Sequence, residues 1–171
     1  ANAGQAARDL NLLPIALFDI SGSYEEGSTS KKNPKEAEVV LNQIRMLIEN
    51  KGWKGNQIGI AAAYREQVEE IESRIEQTDL RSINGLKIDT FDSFQGSERD
   101  AMILSFTRSN DNGNIGFLSD EIGRRRLNVA LTRSKRYCAL VGDWDTLRDG
   151  SDLYRKLYEY VEENDGIKTI H

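Results

Sequence analysis

The sequence has very few residues suited to metal or disulfide chemistry. It contains one cysteine, Cys138, and one histidine, His171. A single cysteine cannot form an internal disulfide, and a His/Cys metal cage needs more ligands than these two residues supply. Histidine acid–base chemistry is disfavoured for the same reason, so any chemistry has to come from Arg, Asp, Glu, Ser or Tyr. We expect no metal site in this chain.

Long apolar runs are also missing. No stretch of about 18 apolar residues occurs, and the first residues lack the charged-then-apolar pattern of a secretory signal. These absences predict a cytoplasmic protein with no membrane partner. The 171 residues, of which 38% are hydrophobic, are predicted to form one domain over 1–171. Residues 1–3 resemble a cloning scar, which would make the chain an excised fragment.

Short β-prone runs alternate with longer amphipathic runs, a pattern typical of an α/β domain with a mostly parallel sheet. Strands are predicted at Pro14–Ile20, Gln57–Ala63, Leu86–Phe91, Ala101–Thr107 and Arg136–Gly142. Helices are predicted from Asn33 to near Gly52 and at Tyr64–Gln77, Arg125–Arg133 and Leu147–Glu163. Asn33 is the predicted N-cap of the first helix, with Glu36 reaching back as in a capping box. The polar stretches Ser21–Lys32 and Arg108–Gly123 are predicted to be loops.

Two hallmarks of a complete nucleotide-hydrolysing α/β protein are absent. There is no glycine-rich loop ending in Gly-Lys-Ser/Thr to hold phosphates. No apolar strand ends in paired carboxylates that could hold magnesium, because Asp120 and Glu121 lie in a polar stretch. If this chain contacts ATP, it therefore does so as the second half of a shared site.

The most informative segment is basic. Residues 123–136 contain five Arg and one Lys and no acidic residue, although the whole chain has a net charge of −5. On a helix, Arg126 and Arg133 are seven residues apart and project from nearly one face, while Leu127 and Ala130 occupy packing positions. Arginine can pair with phosphate oxygens through two hydrogen bonds. The alternative from charge alone is a solvated basic face or one that forms surface salt bridges.

Two further segments carry candidate binding residues. Ile88–Asp100 leaves a strand, turns at Gly96 and presents Glu98, at the kind of position where open α/β sheets bind ligands. An ordinary turn between strands explains this segment equally well. In Ile58–Gln67, Tyr64 and Arg65 open a helix, where an aromatic ring can stack on a base and an arginine can reach a phosphate. A packed aromatic at a helix start is the alternative for Tyr64.

Together these segments resemble the C-terminal RecA-like domain of superfamily 1 helicases, closest to the up-frameshift group. The resemblance lies in Ala63–Gln67, Thr90–Glu98 and Arg125–Arg133, which are similar to helicase motifs IV, V and VI, and in Ser30–Ala37, Arg108–Asn110 and Gly116–Leu118. It covers nearly the whole chain. It implies a RecA-like three-layer sandwich with a mostly parallel central sheet flanked by helices. It also implies the second motor domain of an ATP-dependent DNA or RNA helicase, one of the P-loop NTPases.

The resemblance also implies residue roles at the nucleotide. Arg133 would be the arginine finger on the γ-phosphate, and Arg65 a second phosphate contact. Tyr64 would stack on adenine, and Gly96 with Glu98 would line the ribose and phosphate side. Arg126, on the same predicted helix face as Arg133, is a further nucleotide-binding candidate.

The implied partners are a single strand of DNA or RNA and an N-terminal RecA-like domain of the same protein. ATP and Mg²⁺ would bind mainly to that first domain. The expected contacts to the single strand are Thr90, Ser93, Arg108 and Asn110. The alternative function is a non-catalytic RecA-like module that binds nucleic acid or an acidic partner through its basic helix.

The chain departs from the helicase pattern at three places. Ala62 and Ala63 stand where the family usually has Thr-Pro before the Tyr-Arg pair. Ser134 replaces the usual Ala after the last motif. Residues 121–123 look inserted, and we expect them to lengthen the loop before the basic helix.

Overall fold

The computed structural model describes residues 15–94 and 97–170, and within them six strands form one sheet in the order β3-β2-β4-β5-β1-β6. The strands are β1 (Ile15–Asp19), β2 (Ile58–Ala62), β3 (Lys87–Thr90), β4 (Arg99–Ser105), β5 (Ser134–Gly142) and β6 (Ile167–Thr169). Every strand pair is parallel, which confirms the predicted sheet type. Pro14, residues 1–3 and Gly96 lie outside the described residues.

Helices cover both faces of this sheet. They are α1 (Pro34–Glu49), α2 (Arg65–Glu76), α3 (Glu121–Thr132), α4 (Trp144–Gly150) and α5 (Asp152–Glu163). The apolar faces of α1 and α2 share one buried cluster with Ile58, Ile60 and Ile103. The other three helices share a second cluster with Leu104 and Leu140. Alternate residues of the strands face the two clusters, as the period of a strand requires. The predicted three-layer α/β sandwich is therefore confirmed.

The start of α1 was predicted only in part. The Asn33 side chain accepts a hydrogen bond from the Glu36 amide at 3.1 Å, as expected of an N-cap. The prediction that Glu36 reaches back to complete a capping box is wrong. Its carboxyl group instead turns inward, where it accepts hydrogen bonds from Ser105 Oγ at 2.7 Å and from the Thr107 amide at 2.8 Å.

Residues 121–123 are helical, so the prediction that they lengthen the preceding loop is wrong. Asp120 is the N-cap of α3, and its side chain accepts a hydrogen bond from the Gly123 amide at 2.9 Å. This cap satisfies one of the free amides of the first turn and starts the helix at Glu121. The helix ends at Thr132, and Arg133 is its C-cap.

The carboxyl-terminal region also differs from the prediction. The single helix expected over Leu147–Glu163 is two helices, because the chain is extended at Ser151, whose hydroxyl caps α5 through the Leu153 amide at 3.2 Å. The three-residue strand β6 was not predicted. It pairs with β1 at the edge of the sheet and is too short to show an alternating pattern.

Within residues 15–94 and 97–170, no helix combines the length and apolar character needed to cross a bilayer.

Candidate functional site

Three predicted binding residues lie at the carboxyl edge of the sheet. Ala62 at the end of β2 is in register with Thr90 of β3 and with Ser105 of β4. Tyr64 and Arg65 follow β2 directly, so they stand beside Thr90. The carboxyl ends of parallel strands are where ligands of open α/β sheets bind.

The Tyr64 ring is held from two sides. It packs edge-on against Phe117, with the ring centroids 5.2 Å apart, and its hydroxyl accepts a hydrogen bond from Arg108 Nη1 at 3.0 Å. The residue is half-buried at the N-cap of α2. Tyr64 is thus a packed, half-buried aromatic at the helix start, and the stacking of its ring on a base stays a prediction.

Arg65 is exposed and forms an ion pair. Its Nη2 lies 2.7 Å from Asp89 Oδ1 on β3, and 56% of its side chain is accessible. Partial burial by itself would raise the pKa of Asp89, but hydrogen bonds from the Thr90 amide and from Arg65 outweigh it and hold that pKa below its usual value. An anion with more charge than one carboxylate could compete for this guanidinium, because a surface ion pair is weak.

The hydroxyls of Thr90 and Ser93 lie next to each other on the edge strand and the turn that follows it. Their oxygens are 3.0 Å apart, and Thr90 Oγ1 also donates to Asp92 Oδ1 at 2.9 Å. Both residues are partly accessible. The pair offers neutral hydrogen-bonding groups at the edge of the sheet, of the kind that contact a phosphate or sugar oxygen.

Arg108 and Asn110 both bind Glu25, a residue of the same chain. Arg108 is only 6% exposed, and its Nε donates to Glu25 Oε1 at 2.8 Å. Asn110 Nδ2 donates to the same carboxylate oxygen at 3.0 Å and also to the Asn114 carbonyl at 2.7 Å. The structure therefore does not present the Arg108 guanidinium on an open surface, because that group is used inside the fold.

Helix α3 buries the two residues that the sequence assigned to packing positions. Leu127 and Ala130 are buried at 1% and 0% exposure, and the Arg126 guanidinium stacks over the Phe117 ring at 5.1 Å. Arg133 follows two turns later. Among residues 15–94 and 97–170, its buried Nε has no hydrogen-bond partner and its guanidinium forms no ion pair.

Arg133 and Glu98 lie together at the amino edge of the sheet. The Arg99 amide donates to the Arg133 carbonyl at 3.0 Å, and the register pairs Arg99 with Ser134. Glu98 is exposed, with its Oε2 3.8 Å from Lys135 Nζ. The predicted residues thus form two groups, with Tyr64 and Arg65 at the opposite edge. Helix α3, about 18 Å long at 1.5 Å per residue, runs along the face between them.

Comparison with known proteins identifies the family. A family profile described as an AAA domain matches residues 3–145, most of the chain. DNA-binding protein SMUBP-2 of Rattus norvegicus is 33% identical over 171 residues, which cover 97% of this chain and 16% of that protein. This chain belongs to the superfamily 1 helicases. It is a RecA-like domain of that family, as the motifs indicated.

Other helicases give matches of similar extent. DNA polymerase alpha-associated DNA helicase A of Schizosaccharomyces pombe is 32% identical over 167 residues, 92% of this chain and 24% of that protein. DNA replication ATP-dependent helicase/nuclease dna2 of the same organism is 32% identical over 153 residues, 90% of this chain and 10% of that protein. The chain therefore spans at most about a quarter of the length of these relatives.

Superfamily 1 helicases depend on ATP and Mg²⁺ in general, and the described residues suit only one part of that requirement. An aromatic ring, exposed arginines and an arginine nitrogen without a partner are groups suited to a base and to phosphates. No group of three or more His, Cys, Asp or Glu residues that could hold a metal ion occurs in the described part of the helicase domain.

Two residues of this helicase domain contact the predicted site residues, although the sequence predicted no role for either. Phe117 contacts both Tyr64 and the Arg126 guanidinium, and Glu25 binds Arg108 and Asn110. Phe117 stood in a stretch that resembled the family but carried no role there. Glu25 gave no signal, because its partners lie more than 80 residues further along the chain.

Proposed function

We propose that this chain is the second motor domain of an ATP-dependent helicase and supplies Arg133 as an arginine finger to a triphosphate bound mainly by another RecA-like domain. The observation that carries the proposal is Arg133 at the end of helix α3, whose buried Nε has no hydrogen-bond partner among the described residues. Arg133 as a whole is only half-buried, so a phosphate oxygen would pair with the guanidinium through the N–H groups beyond the enclosed Nε.

The other proposed nucleotide contacts differ in the part of the nucleotide that each would bind. Tyr64 presents an aromatic surface for the adenine base, while Arg65 and Arg126 offer charge to the phosphates. Arg65 would exchange Asp89 for a phosphate oxygen. Glu98 is proposed to accept hydrogen bonds from ribose hydroxyls, together with the backbone at Gly96. Glu98 and Tyr64 lie at opposite edges of the sheet, and a ribose is bonded directly to its base, so these two contacts are alternatives for one nucleotide in this conformation of the chain.

The magnesium ion is proposed to lie on the carboxylates of the first domain. Bound there, it would neutralise phosphate charge, while this chain would contribute arginines and a base-stacking ring. Because neither a phosphate-binding loop nor a metal-binding carboxylate pair occurs in the sequence, we expect no steady ATP hydrolysis by the isolated chain. Steady hydrolysis by a clean preparation would contradict the shared-site argument.

The proposed nucleic-acid partner is a single strand of DNA or RNA that contacts Thr90 and Ser93. Asn110 is a weaker candidate, and Arg108 a still weaker one, because its guanidinium is enclosed. Closure of the two motor domains on ATP and their release after hydrolysis would shift the grip on the strand, since the arginines favour the triphosphate state.

The test uses the full-length protein with Arg133→Ala. We expect ATP to bind as before while turnover falls by about 10³-fold or more, the usual contribution of an arginine finger. Arg133→Lys should recover little, because an ammonium group cannot form the same pair of hydrogen bonds. The matched control is Arg125→Ala, on the same helix and with 76% of its side chain exposed beside Glu121.

Normal turnover in the Arg133→Ala protein would overturn the finger assignment. Binding of single strands that falls linearly with salt in log–log terms but ignores nucleotide would then favour the non-catalytic module.

A further inference from the structure

Tyr24, in the loop between β1 and α1, presents an aromatic ring to solvent. The residue is 53% exposed, and every other aromatic residue that the structure describes is buried or partly buried. Contacts within the fold therefore cover little of this ring, and burial of apolar surface contributes little stability at this position.

The backbone at Tyr24 is strained. Its φ is +61°, in the left-handed region that a bulky residue rarely adopts. Buried groups hold it there, because the Tyr24 amide donates to Ser109 Oγ at 2.7 Å and that hydroxyl donates to Asp143 Oδ2 at 2.6 Å. The next amide, that of Glu25, donates to the Ser109 carbonyl at 2.9 Å. The loop is thus fixed in a conformation that glycine or asparagine would adopt at a lower cost.

The ring is also held at its outer end. The Tyr24 hydroxyl donates to Asp111 Oδ1 at 2.9 Å, and this hydrogen bond raises the pKa of the tyrosine. With its backbone amide bound to Ser109 and its hydroxyl bound to Asp111, the ring has little freedom to turn. A flat, exposed ring in a fixed orientation can stack on another flat ring at a small entropic cost.

The charges around Tyr24 suit an uncharged base better than a phosphate. Tyr24 lines an open cavity of about 580 Å³, and the lining of this cavity includes four aspartates and two arginines. One of the aspartates, Asp111, binds the tyrosine hydroxyl directly. An excess of carboxylates repels a phosphate, whereas a nucleobase carries no charge.

Tyr24 lies at the same edge of the sheet as Thr90 and Ser93, the proposed contacts to the single strand. It comes after the end of β1, they lie at and after the end of β3, and its partner Ser109 comes after the end of β4. In the sheet, β4 is two strands from β3, or about 10 Å at about 4.8 Å per strand. A single strand bound at Thr90 therefore has to extend by only a few nucleotides to reach the ring.

We propose that Tyr24 is a stacking platform for one base of the bound single strand. The proposal rests on the proposed function in one respect, that a single strand lies along this edge of the sheet. Backbone strain that packing does not offset is typical of positions where function uses the strained geometry. Because every base has an aromatic face, the contact adds affinity with little sequence preference.

The experiment measures the Kd of the full-length helicase, at one fixed salt concentration, for three strands of equal length: oligothymidylate, oligouridylate and an abasic deoxyribose-phosphate strand. The natural protein's affinities for the first two show which sugar it prefers. We expect Tyr24→Asn to raise the Kd for the strands that carry bases by about tenfold, the usual effect of losing one stacking contact, and to leave the abasic strand unchanged.

Two further variants serve as controls. Tyr24→Phe keeps the ring and should keep most of the affinity. Ile122→Ala should change nothing, although Ile122 is as exposed as Tyr24, at 53%. Asparagine tolerates a positive φ, so the urea midpoint of Tyr24→Asn should not fall, and its weaker binding is then not due to unfolding.

The abasic strand decides the outcome. If Tyr24→Asn binds the strands that carry bases as the natural protein does, or weakens the abasic strand equally, the stacking role is overturned. The double variant Thr90→Ala and Ser93→Ala tests the proposal beneath it. If that variant binds every strand normally while Tyr24→Asn loses affinity only for bases, the proposed contacts at β3 fail and the stacking role is supported.

Discussion

The buried carboxyl group of Glu36 makes the stability of the domain depend on pH. Glu36 is fully buried, its Oε1 accepts two hydrogen bonds, and its Oε2 has no partner among the described residues. An ionised carboxylate with one bare oxygen in the interior is costly. Burial accordingly raises the pKa of Glu36 to about 8, although the hydrogen bonds from Thr107 and Ser105 act in the opposite direction.

The sign of the pH dependence follows from this pKa. The ordinary value is 4.5, so between pH 4.5 and about 8 the folded chain keeps a proton that the unfolded chain has released. The contribution of Glu36 to the free energy of unfolding therefore falls as pH rises, by ~1.4 kcal/mol per unit. Over the whole window the loss amounts to about 3–5 kcal/mol, and it stops above the folded-state pKa.

Glu36→Gln removes the titration and keeps an oxygen for the same two donors. We expect the variant and the natural chain to differ little at pH 5 and the variant to be more stable by pH 8, as measured by urea unfolding at several pH values. Glu38→Gln, at an exposed position of the same helix, is the control. If the difference between the Glu36 variant and the natural chain is the same at pH 5 and pH 8, this carboxyl group is not protonated in the fold, and the reasoning is refuted.

Three further changes test the packing that supports the site. Gly123→Ala should lower the free energy of unfolding by about 1–3 kcal/mol despite better helix propensity, because the new Cβ would overlap the Phe117 carbonyl; an unchanged urea midpoint would contradict this. Asn33→Ala should cost about 2–3 kcal/mol, since it removes a helix cap and leaves buried groups unpaired, whereas Asn33→Ser should cost less. Phe106→Ala should cost about 3–5 kcal/mol in calorimetry, because its ring contacts three other buried aromatic rings.

Local patterns made much of the fold predictable. The apolar stripe of α1 and its Asn33 cap are short-range features, and both are confirmed. Residues 121–123 show the limit of such reasoning. They were assigned to a loop because the stretch is polar and because they look inserted relative to the family pattern, whereas in the structure Asp120 immediately before them caps a helix.

The candidate site was predictable only as a set of residues. Arginine spacing on one helix face follows from the period of the helix, and it correctly separated Arg126 from the buried Leu127. The division of these residues between the two edges of the sheet could not be predicted from the helix period. It depends on strand direction, which decides the edge that each motif reaches. Tyr64 comes after a strand and Glu98 before one, and in a parallel sheet these are opposite edges.

The sequence by itself determined the α/β class, the parallel sheet, the amphipathic helices and the helicase resemblance, because each depends on residue type and on spacings within one element. Tertiary structure alone decided that Glu36 turns into the core, that Glu25 reaches Arg108, and that the Arg133 guanidinium has no partner among the described residues. Those outcomes depend on contacts between residues about 70 or more positions apart, or on the lack of them. Such contacts form only when the sheet brings separate loops to one edge, and no local pattern encodes that meeting.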